Sequence, residues 1–299
     1  MQTLLSLSND LASAVERAAR AVVTVHARPR LPSTGVLWRP GIVVTAEHTV
    51  RVDEEIRVAL SDGRAAPATL VGRDPGTDLA VLRIGESDRL AAEIGDSAEL
   101  KVGNLVLAVG YGPRASWGVV SAVGGAWRTW RGGEVDRLLR VDLVLYPGFS
   151  GGPLVDASGK VAGLVTSGLS RQLELAVPTS TVTRVVDELL ATGRVSRGYL
   201  GVGLQSVALP EALRRLAPGA GTRGLIVVSI EADGPAARAG LMLGDVLVAL
   251  EGTPLHDPGD VPAAIAGRRV GTTVTVSLVR GGAPLDLTVT LGERPSRRR

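Results

Sequence analysis

The chain has 299 residues, with 38 glycines, 17 prolines, no cysteine and 3% aromatic residues. This length accommodates two domains of ordinary size, and 45% hydrophobic with 21% charged residues excludes wholesale disorder. The absence of cysteine excludes disulfides, thiolate nucleophiles and zinc sites built on sulfur. With only three histidines as well, we expect no metal site and no cofactor.

The basic residues do not predict a nucleic-acid-binding surface. The sequence pI is about 9.8, but 33 Lys and Arg against 30 Asp and Glu leave a net charge of only +3. The arginines are scattered, apart from a short basic tail at residues 294–299. Because a nucleic-acid surface clusters its bases and interleaves aromatic residues, we expect no nucleic-acid partner.

The sequence also gives an expectation for location. No stretch approaches the roughly 20 apolar residues that cross a bilayer, and the first ten residues lack the basic and apolar regions of a signal peptide. We therefore expect a cytoplasmic protein. The alternative is a periplasmic or other extracytoplasmic protein whose export segment is missing from this chain.

The predicted elements begin with an amphipathic helix over residues 9–20, followed by many short β-type runs. These runs cover residues 21–26, 34–38, 42–45, 56–60, 68–73, 79–84, 105–109, 118–123, 138–141, 154–155, 161–166 and 174–177. A dozen short strands with almost no helix favour β-barrels or sandwiches over βαβ units. A helix over residues 180–191, capped by Thr179 or Ser180 and ended by Gly193, closes this part.

Residues 192–197 are predicted to be a linker, which divides the chain near residue 196. The first domain then covers residues 1–195, including the N-terminal helical segment, and the second covers residues 196–299 with the basic tail. The second domain shows its own pattern of strand, loop, strand, short helix, strand, helix and two strands.

Three segments of the first domain carry candidate catalytic residues. A strand runs into His48, Asp78 immediately precedes an apolar strand, and Ser150 lies in the glycine-rich segment 147–154. A serine hydroxyl attacks a carbonyl only when a base takes its proton and donors stabilise the resulting oxyanion. Flanking glycines allow the N–H groups of Gly148 and Ser150 to point into one concavity. For the serine segment alone, an ordinary glycine-rich β-turn is the alternative.

Taken together, the segments 45–48 (Thr-Ala-Glu-His), 77–82 (Thr-Asp-Leu-Ala-Val-Leu) and 148–154 (Gly-Phe-Ser-Gly-Gly-Pro-Leu) resemble the chymotrypsin-like serine proteases of the HtrA (Deg) family. The resemblance extends over residues 10–292 and implies a mainly β fold. The expected architecture is a chymotrypsin-like double six-stranded β-barrel, followed by a PDZ domain that is a β-sandwich with two helices.

The resemblance also implies residue roles. Ser150 would be the nucleophile, His48 the general base and then acid, and Asp78 the residue that orients and stabilises the imidazole. Gly148 and Ser150 would form the oxyanion hole. The substrate pocket would have Val144 at its base, six residues before the nucleophile, which favours apolar P1 side chains. The substrate backbone would pair with the segment of Thr166, Ser167 and Gly168 by β-augmentation.

Three features depart from the family pattern. The residue before the nucleophile is Phe149, the only phenylalanine, where the family usually has asparagine. The loop after Gly110 is shorter than the family's activation loop. The resemblance further implies a homotrimer, for which the N-terminal segment offers Leu4, Leu5 and Leu7 in place of the family's aromatic residues.

Residues 198–292 resemble a PDZ domain, most clearly at 234–247 (Gly-Pro-Ala-Ala-Arg-Ala-Gly-Leu-Met-Leu-Gly-Asp-Val-Leu). The resemblance implies a carboxylate-binding loop at 198–202, an edge strand that accepts a peptide C-terminus, and a helical groove wall at 260–266. The residues expected to bind the peptide are Tyr199, Leu200, Gly201, Val202, Leu204, Val261 and Ile265.

These observations predict an ATP-independent serine endopeptidase that acts on unfolded or damaged proteins through an acyl-enzyme. Its partners would be unfolded protein or peptide substrates, and C-termini bound by the PDZ domain would regulate it. The alternative is a catalytically weak peptide-binding or chaperone-like scaffold, which Phe149 and the short loop keep open.

Overall fold

The structure is a computed structural model that describes residues 2–60, 63–85, 90–170, 172–195, 198–216, 221–265, 268 and 270–293. The chain forms two compact units, residues 1–195 and 196–299, and each has its own hydrophobic core. The basic tail at 294–299 lies outside the described residues.

The first unit contains two closed six-stranded barrels, as the sequence predicts. The first barrel has β1 (Val22–His26), β2 (Ser33–Arg39), β3 (Ile42–Ala46), β4 (Ile56–Ala59), β5 (Ala65–Asp74) and β6 (Leu79–Ile84). The following strands are β7 (Leu105–Gly110), β8 (Arg114–Val123), β9 (Trp127–Arg128), β10 (Glu134–Val135), β11 (Leu139–Asp142), β12 (Pro153–Asp156), β13 (Val161–Thr166) and β14 (Leu175–Pro178). The strand orders are β1-β2-β3-β6-β5-β4 and β11-β14-β13-β12-β7-β8, while β9 and β10 form a separate hairpin.

Strand alternation explains how the barrels pack. Leu37 and Val43 point into the first barrel, whereas their neighbours Val36 and Val44 belong to a second cluster. That second cluster also contains Leu164 and other residues of the second barrel, so it fills the space between the barrels. Because successive side chains of a strand face opposite sides, β2 and β3 are buried on both faces, which fixes the two barrels against each other.

Two helices flank the barrels, and both differ in detail from the prediction. Helix α1 spans Gln2–Ala19 and begins earlier than residue 9, since no glycine or proline interrupts it. Helix α2 spans Thr179–Thr192 and ends at Gly193, whose φ of 75° is the left-handed C-cap that the sequence predicts. The Thr179 side chain does not cap this helix; its hydroxyl donates to the Gly95 carbonyl instead.

The second unit is a sheet with three short helices among the described residues. Its elements are β15 (Gly198–Tyr199), β16 (Val202–Ala208), α3 (Glu211–Leu216), β17 (Arg223–Ile230), α4 (Pro235–Arg238), β18 (Val246–Leu250), β19 (Thr253–Pro254), α5 (Asp260–Ala264), β20 (Thr273–Arg280), β21 (Ala283–Thr290) and β22 (Gly292–Glu293). The main sheet has the order β16-β17-β18-β20-β21 with β19 paired to β18, and β15 pairs with β22. Strand β16 therefore lies at an edge of the sheet.

Asp245 is a buried acid of this second unit. Arg280 donates from Nε to Oδ1 and from Nη2 to Oδ2, both at 2.8 Å, and the Met242 N–H donates to Oδ2 at 2.8 Å. Burial by itself would raise the pKa of Asp245, but the Arg280 and Met242 hydrogen bonds outweigh it and hold that pKa below its ordinary value. The pair ties the start of β18 to the end of β20.

Candidate active site

Asp78 lies at the turn into β6 and is only 1% exposed. Its Oδ1 accepts the His48 backbone N–H at 2.9 Å, and its Oδ2 lies 2.8 Å from His48 Nδ1. The buried Thr166 hydroxyl also donates to Oδ2. With Nδ1–H donated to the carboxylate, the neutral imidazole keeps its lone pair on Nε2, so His48 is oriented to accept a proton there.

A network that the sequence analysis missed supports the Asp78 turn. The Asp74 carboxylate accepts the N–H groups of Gly76 (3.0 Å) and Thr77 (3.3 Å) and the Thr77 hydroxyl (2.7 Å). From the β9–β10 hairpin, the Thr129 hydroxyl donates to the Gly76 carbonyl at 2.7 Å. These contacts hold the turn that carries Asp78, whose own φ of 58° is unusual for a residue other than glycine.

His48 lies in a short 3-10 turn, Glu47–Thr49, directly after β3. The Glu47 N–H donates to the Asp78 carbonyl at 3.0 Å, so the segments that carry His48 and Asp78 are joined by backbone as well as by side chains. The Glu47 carboxylate lies 3.6 Å from Arg73 of β5 and 3.6 Å from Arg131 of the β9–β10 hairpin. Both arginines therefore help to hold the histidine turn in place.

Two successive tight turns position Ser150, which lies in the second of them. In the first, the Phe149 N–H donates to the Tyr146 carbonyl at 3.0 Å, with proline second and Gly148 third at φ 91°. In the second, the Gly152 N–H donates to the Phe149 carbonyl at 2.8 Å, with Gly151 third at φ 88°. A type II turn needs a positive φ at its third residue, so the glycines on both sides of Ser150 are required by the backbone.

The first of these turns is fastened to the other barrel. The Thr34 hydroxyl of β2 donates to the Gly148 carbonyl at 2.7 Å and accepts the Tyr111 N–H at 3.1 Å. Within the described part of the chain, the N–H groups of Gly148 and Ser150 donate no hydrogen bond. Two backbone donors without a protein partner, on either side of Phe149 in the chain and at the serine itself, are what an oxyanion hole requires.

Phe149 is fully buried and is the last residue of the first turn, residues 146–149, which is the candidate oxyanion turn. Its ring meets Tyr146 edge-on at 5.5 Å between centroids, and the Arg114 guanidinium lies 5.5 Å above it. A Cβ added to Gly110 would lie 2.6 Å from the ring carbons, so only glycine leaves room for it. The departure from the family's asparagine is therefore accommodated by packing, and the turn is formed.

The Ser150 hydroxyl is held by the segment after β13. Its Oγ lies 3.1 Å from the Ser167 Oγ and accepts the Ser167 N–H at 3.3 Å. Among the described residues it has no hydrogen bond to His48. A Cβ on Gly168 would lie 2.7 Å from His48 Nδ1, which shows how closely this segment covers the histidine–aspartate pair.

The structure places the side chains of two predicted pocket residues as follows. Val144 is 56% exposed, because the alternation of β11 continues past its end and turns Leu143 inward and Val144 outward. Thr166 is 2% exposed and its hydroxyl donates to Asp78, so its side chain supports the aspartate, and the pairing of its backbone with a substrate stays a prediction. Within the described ranges, no group of three acidic or histidine side chains lies close enough to hold a metal ion.

The residues predicted to bind a peptide lie in and around β15, β16 and α5 of the second unit. Leu200, Val261 and Ile265 are buried in one cluster, and Val202 and Leu204 pack partly exposed against it. Gly201 has a φ of 78°, and the Leu200 and Gly201 carbonyls accept the N–H groups of Ala236 and Glu231. Tyr199 pairs with β22 and lies beside this loop. The predicted groove would therefore lie between the edge strand β16 and helix α5.

Comparisons with known proteins agree with this geometry. Residues 33–164 match the trypsin-like peptidase domain and residues 198–291 match the PDZ domain. The probable periplasmic serine endoprotease DegP-like of Pseudomonas fulva (strain 12-X) is 35% identical over 277 residues, 89% of this chain. The match covers 56% of that relative, so the chain spans about half the length of the curated relatives it matches.

Two solved structures match over nearly their whole length. The HtrA-type protease AlgW with decapeptide has a TM-score of 0.74 and 32% identity, covering 95% of this chain and 99% of that one. The serine endoprotease from Yersinia pestis has a TM-score of 0.74 and 31% identity, covering 95% and 98%.

These comparisons also correct one expectation and establish the family. The predicted cytoplasmic location is wrong, because the curated relatives are named periplasmic endoproteases. In the described part of the chain, no helix has the length and apolarity to cross a bilayer. With two barrels, the paired His48 and Asp78, Ser150 on its turns and a following PDZ domain, the chain belongs to the HtrA-type serine protease family.

Proposed function

We propose that the protein is a serine endopeptidase that cleaves unfolded or damaged proteins outside the cytoplasm, without ATP. The observation that carries this proposal is the pairing of His48 with Asp78 next to Ser150, whose turn leaves two backbone donors unpaired. The periplasmic naming of the curated relatives supports the location. The relatives' role as endoproteases supports catalysis over a weak peptide-binding scaffold.

The chemistry proceeds through an acyl-enzyme. The Ser150 oxygen attacks the scissile carbonyl carbon while His48 Nε2 takes the hydroxyl proton, and the Gly148 and Ser150 N–H groups bind the oxyanion. Asp78 stabilises the imidazolium, which then gives its proton to the leaving amine. Water hydrolyses the ester by the same steps, which restores the Ser150 hydroxyl.

Substrate binding uses the end of β13 and the chain after it. We propose that an extended substrate pairs its backbone with residues 166–168. The chain just before the nucleophile, residues 143–146, carries no charged side chain, so the predicted preference for apolar P1 residues is retained. Peptides that differ only at P1, with valine or arginine, test it: a higher kcat/KM for arginine would contradict the prediction.

The decisive experiment compares wild type with Ser150→Ala on unfolded casein and with a fluorophosphonate probe. We expect wild type to cleave and label, and Ser150→Ala to do neither. Ser158→Ala is the matched control, because Ser158 lies in the exposed turn after β12 and the hydroxyl that the variant removes donates to Asp156 Oδ1 and not to Ser150. Absence of cleavage and labelling by folded wild type, with and without PDZ-binding peptides, would favour the scaffold instead.

The PDZ unit is proposed to bind protein C-termini and thereby regulate the protease. A peptide that adds to β16 would place its terminal carboxylate at the Gly201 loop and its last side chain against Val261 and Ile265. Peptides with a free apolar C-terminus should bind and raise cleavage, whereas amidated peptides should not. Equal binding of both forms would refute the carboxylate loop.

We also propose that the protein forms a homotrimer through α1. The second half of this helix packs on the barrels through Ala14 and Ala18, while its first half exposes Leu4, Leu5 and Leu7. Exposed leucines in one segment mark a surface for association. Light scattering should give a trimer mass for wild type and a lower mass for Leu4→Glu/Leu5→Glu; a monomeric wild type would contradict the proposal.

A further inference from the structure

The last residue of β13, Thr166, and the two residues after it together contact all three members of the proposed catalytic set. The Thr166 hydroxyl donates to Asp78, and both the N–H and the hydroxyl of Ser167 contact the Ser150 hydroxyl oxygen. Gly168 lies against the histidine–aspartate pair. Of these three, only Ser167 has an exposed side chain. Its hydroxyl is therefore free to rotate between the Ser150 oxygen and water.

The two contacts of Ser167 oppose the first step of the reaction. The Ser167 N–H, at 3.3 Å, occupies a lone pair of the Ser150 oxygen, and the two hydroxyl oxygens are 3.1 Å apart. When Ser150 donates its proton to Ser167, that proton is unavailable to His48. Serine is a poor nucleophile unless its proton passes to the base as it attacks, so this rotamer of Ser150 is unreactive.

We propose that Ser167 is a positioning residue that holds Ser150 in a resting rotamer, and that pairing of a substrate strand with residues 166–168 releases it. This inference rests on the proposed protease function. A substrate strand at this position brings its carbonyl to the oxyanion donors next to Ser150, so the Ser150 oxygen must rotate toward the carbonyl carbon. The exposed Ser167 hydroxyl then replaces its hydrogen bond to Ser150 with one to water, so the release costs little free energy.

The size of the effect follows from the hydroxyl contact. A hydrogen bond between two neutral groups shifts an equilibrium by about two- to ten-fold. Removing the Ser167 hydroxyl should therefore raise reactivity toward a small probe by about that factor. A merely structural role predicts the opposite direction, because loss of a supporting contact would slow the reaction.

The test uses the full chain with Ser167→Ala and Ser167→Thr, and Ser158→Ala as the control. A small fluorophosphonate, which cannot form a strand with residues 166–168, labels Ser150 at a measurable rate. We expect Ser167→Ala to label about two- to ten-fold faster than wild type, with the midpoint of its pH profile unchanged because Ser167 has no described contact with His48. Ser167→Thr keeps the hydroxyl and should label at the wild-type rate, as should Ser158→Ala.

A peptide substrate gives an independent measurement. Because a bound strand has already released Ser150, Ser167→Ala should lower KM and leave kcat unchanged. If wild type is labelled and Ser167→Ala is labelled at the same rate or more slowly, the proposed role of Ser167 is wrong while the protease function stands. Failure of all folded variants to label would overturn the protease function as well, whereas labelling by Ser167→Ala only would be the strongest support.

Discussion

Gly168→Ala tests the arrangement over the catalytic pair most directly. An added Cβ would lie 2.7 Å from both His48 Nδ1 and Asp78 Cγ, and closer still to Asp78 Oδ2. Favourable nonbonded separations are about 3.5–4.0 Å, so the methyl group would overlap both residues by close to 1 Å. Because Asp78 is held by backbone and Thr166 contacts, the half-buried imidazole is the part that moves, and its 2.8 Å bond to Asp78 breaks.

A histidine that has lost its aspartate keeps neither its tautomer nor its orientation. We therefore expect kcat to fall by about 10²- to 10⁴-fold, while KM for a peptide and the urea unfolding midpoint change little. The assay is the steady-state cleavage of a fluorogenic peptide, together with urea unfolding followed by tryptophan fluorescence. Gly125→Ala is the matched control, because a Cβ there meets nothing within 4 Å. Wild-type kcat in Gly168→Ala would refute this reasoning.

Three further predictions concern contacts described above. Phe149→Ala removes a fully buried ring and should cost about 3–5 kcal/mol of unfolding free energy, measured by urea unfolding; an unchanged midpoint would contradict the packing of the oxyanion turn. Thr166→Val removes the hydroxyl donor to Asp78 and should lower kcat/KM by about ten-fold or more, and a wild-type kcat/KM would exclude that role. Since the folded pKa of Asp245 is lowered, its contribution to stability is full above the ordinary value of 3.8 and is lost as pH falls through the lower folded value. In wild type, the protection of the β18 and β20 amides from hydrogen exchange should therefore decrease as the pH falls through that range. In Asp245→Asn the carboxylate that binds Arg280 is absent, so the protection should not change with pH there; the same pH dependence in both proteins would contradict this prediction.

Much of the fold was predictable because it depends on local patterns. Short strands and turn residues favoured barrels or sandwiches, and the family resemblance implied the two six-stranded barrels. The glycine at position 193 predicted the end of α2. The segments around His48, Asp78 and Ser150 each carry a local signature, so these three residues could be proposed as a catalytic set from the sequence. The exposure of Val144 was also predictable from the alternation of β11.

The supporting contacts were not predictable in the same way. Thr129 meets Gly76 across 53 residues, and Thr166 meets Asp78 across 88. A threonine in a strand or hairpin has no local signature for such a partner, since the contact depends on how the barrels close. The contact of Ser167 with the nucleophile likewise depends on a side-chain rotamer, which sequence patterns do not specify.

The open edge of β16 has a consequence for the solution behaviour of the second unit. In the described residues its seven residues pair only with β17, which leaves a row of backbone groups able to template any extended chain, including β16 of another copy. The irregular register between Gly203 and Leu204 twists the strand, and Gln205 adds a polar side chain. Both features limit the length of edge that a second copy could match, while a terminal stretch of a few peptide residues still fits.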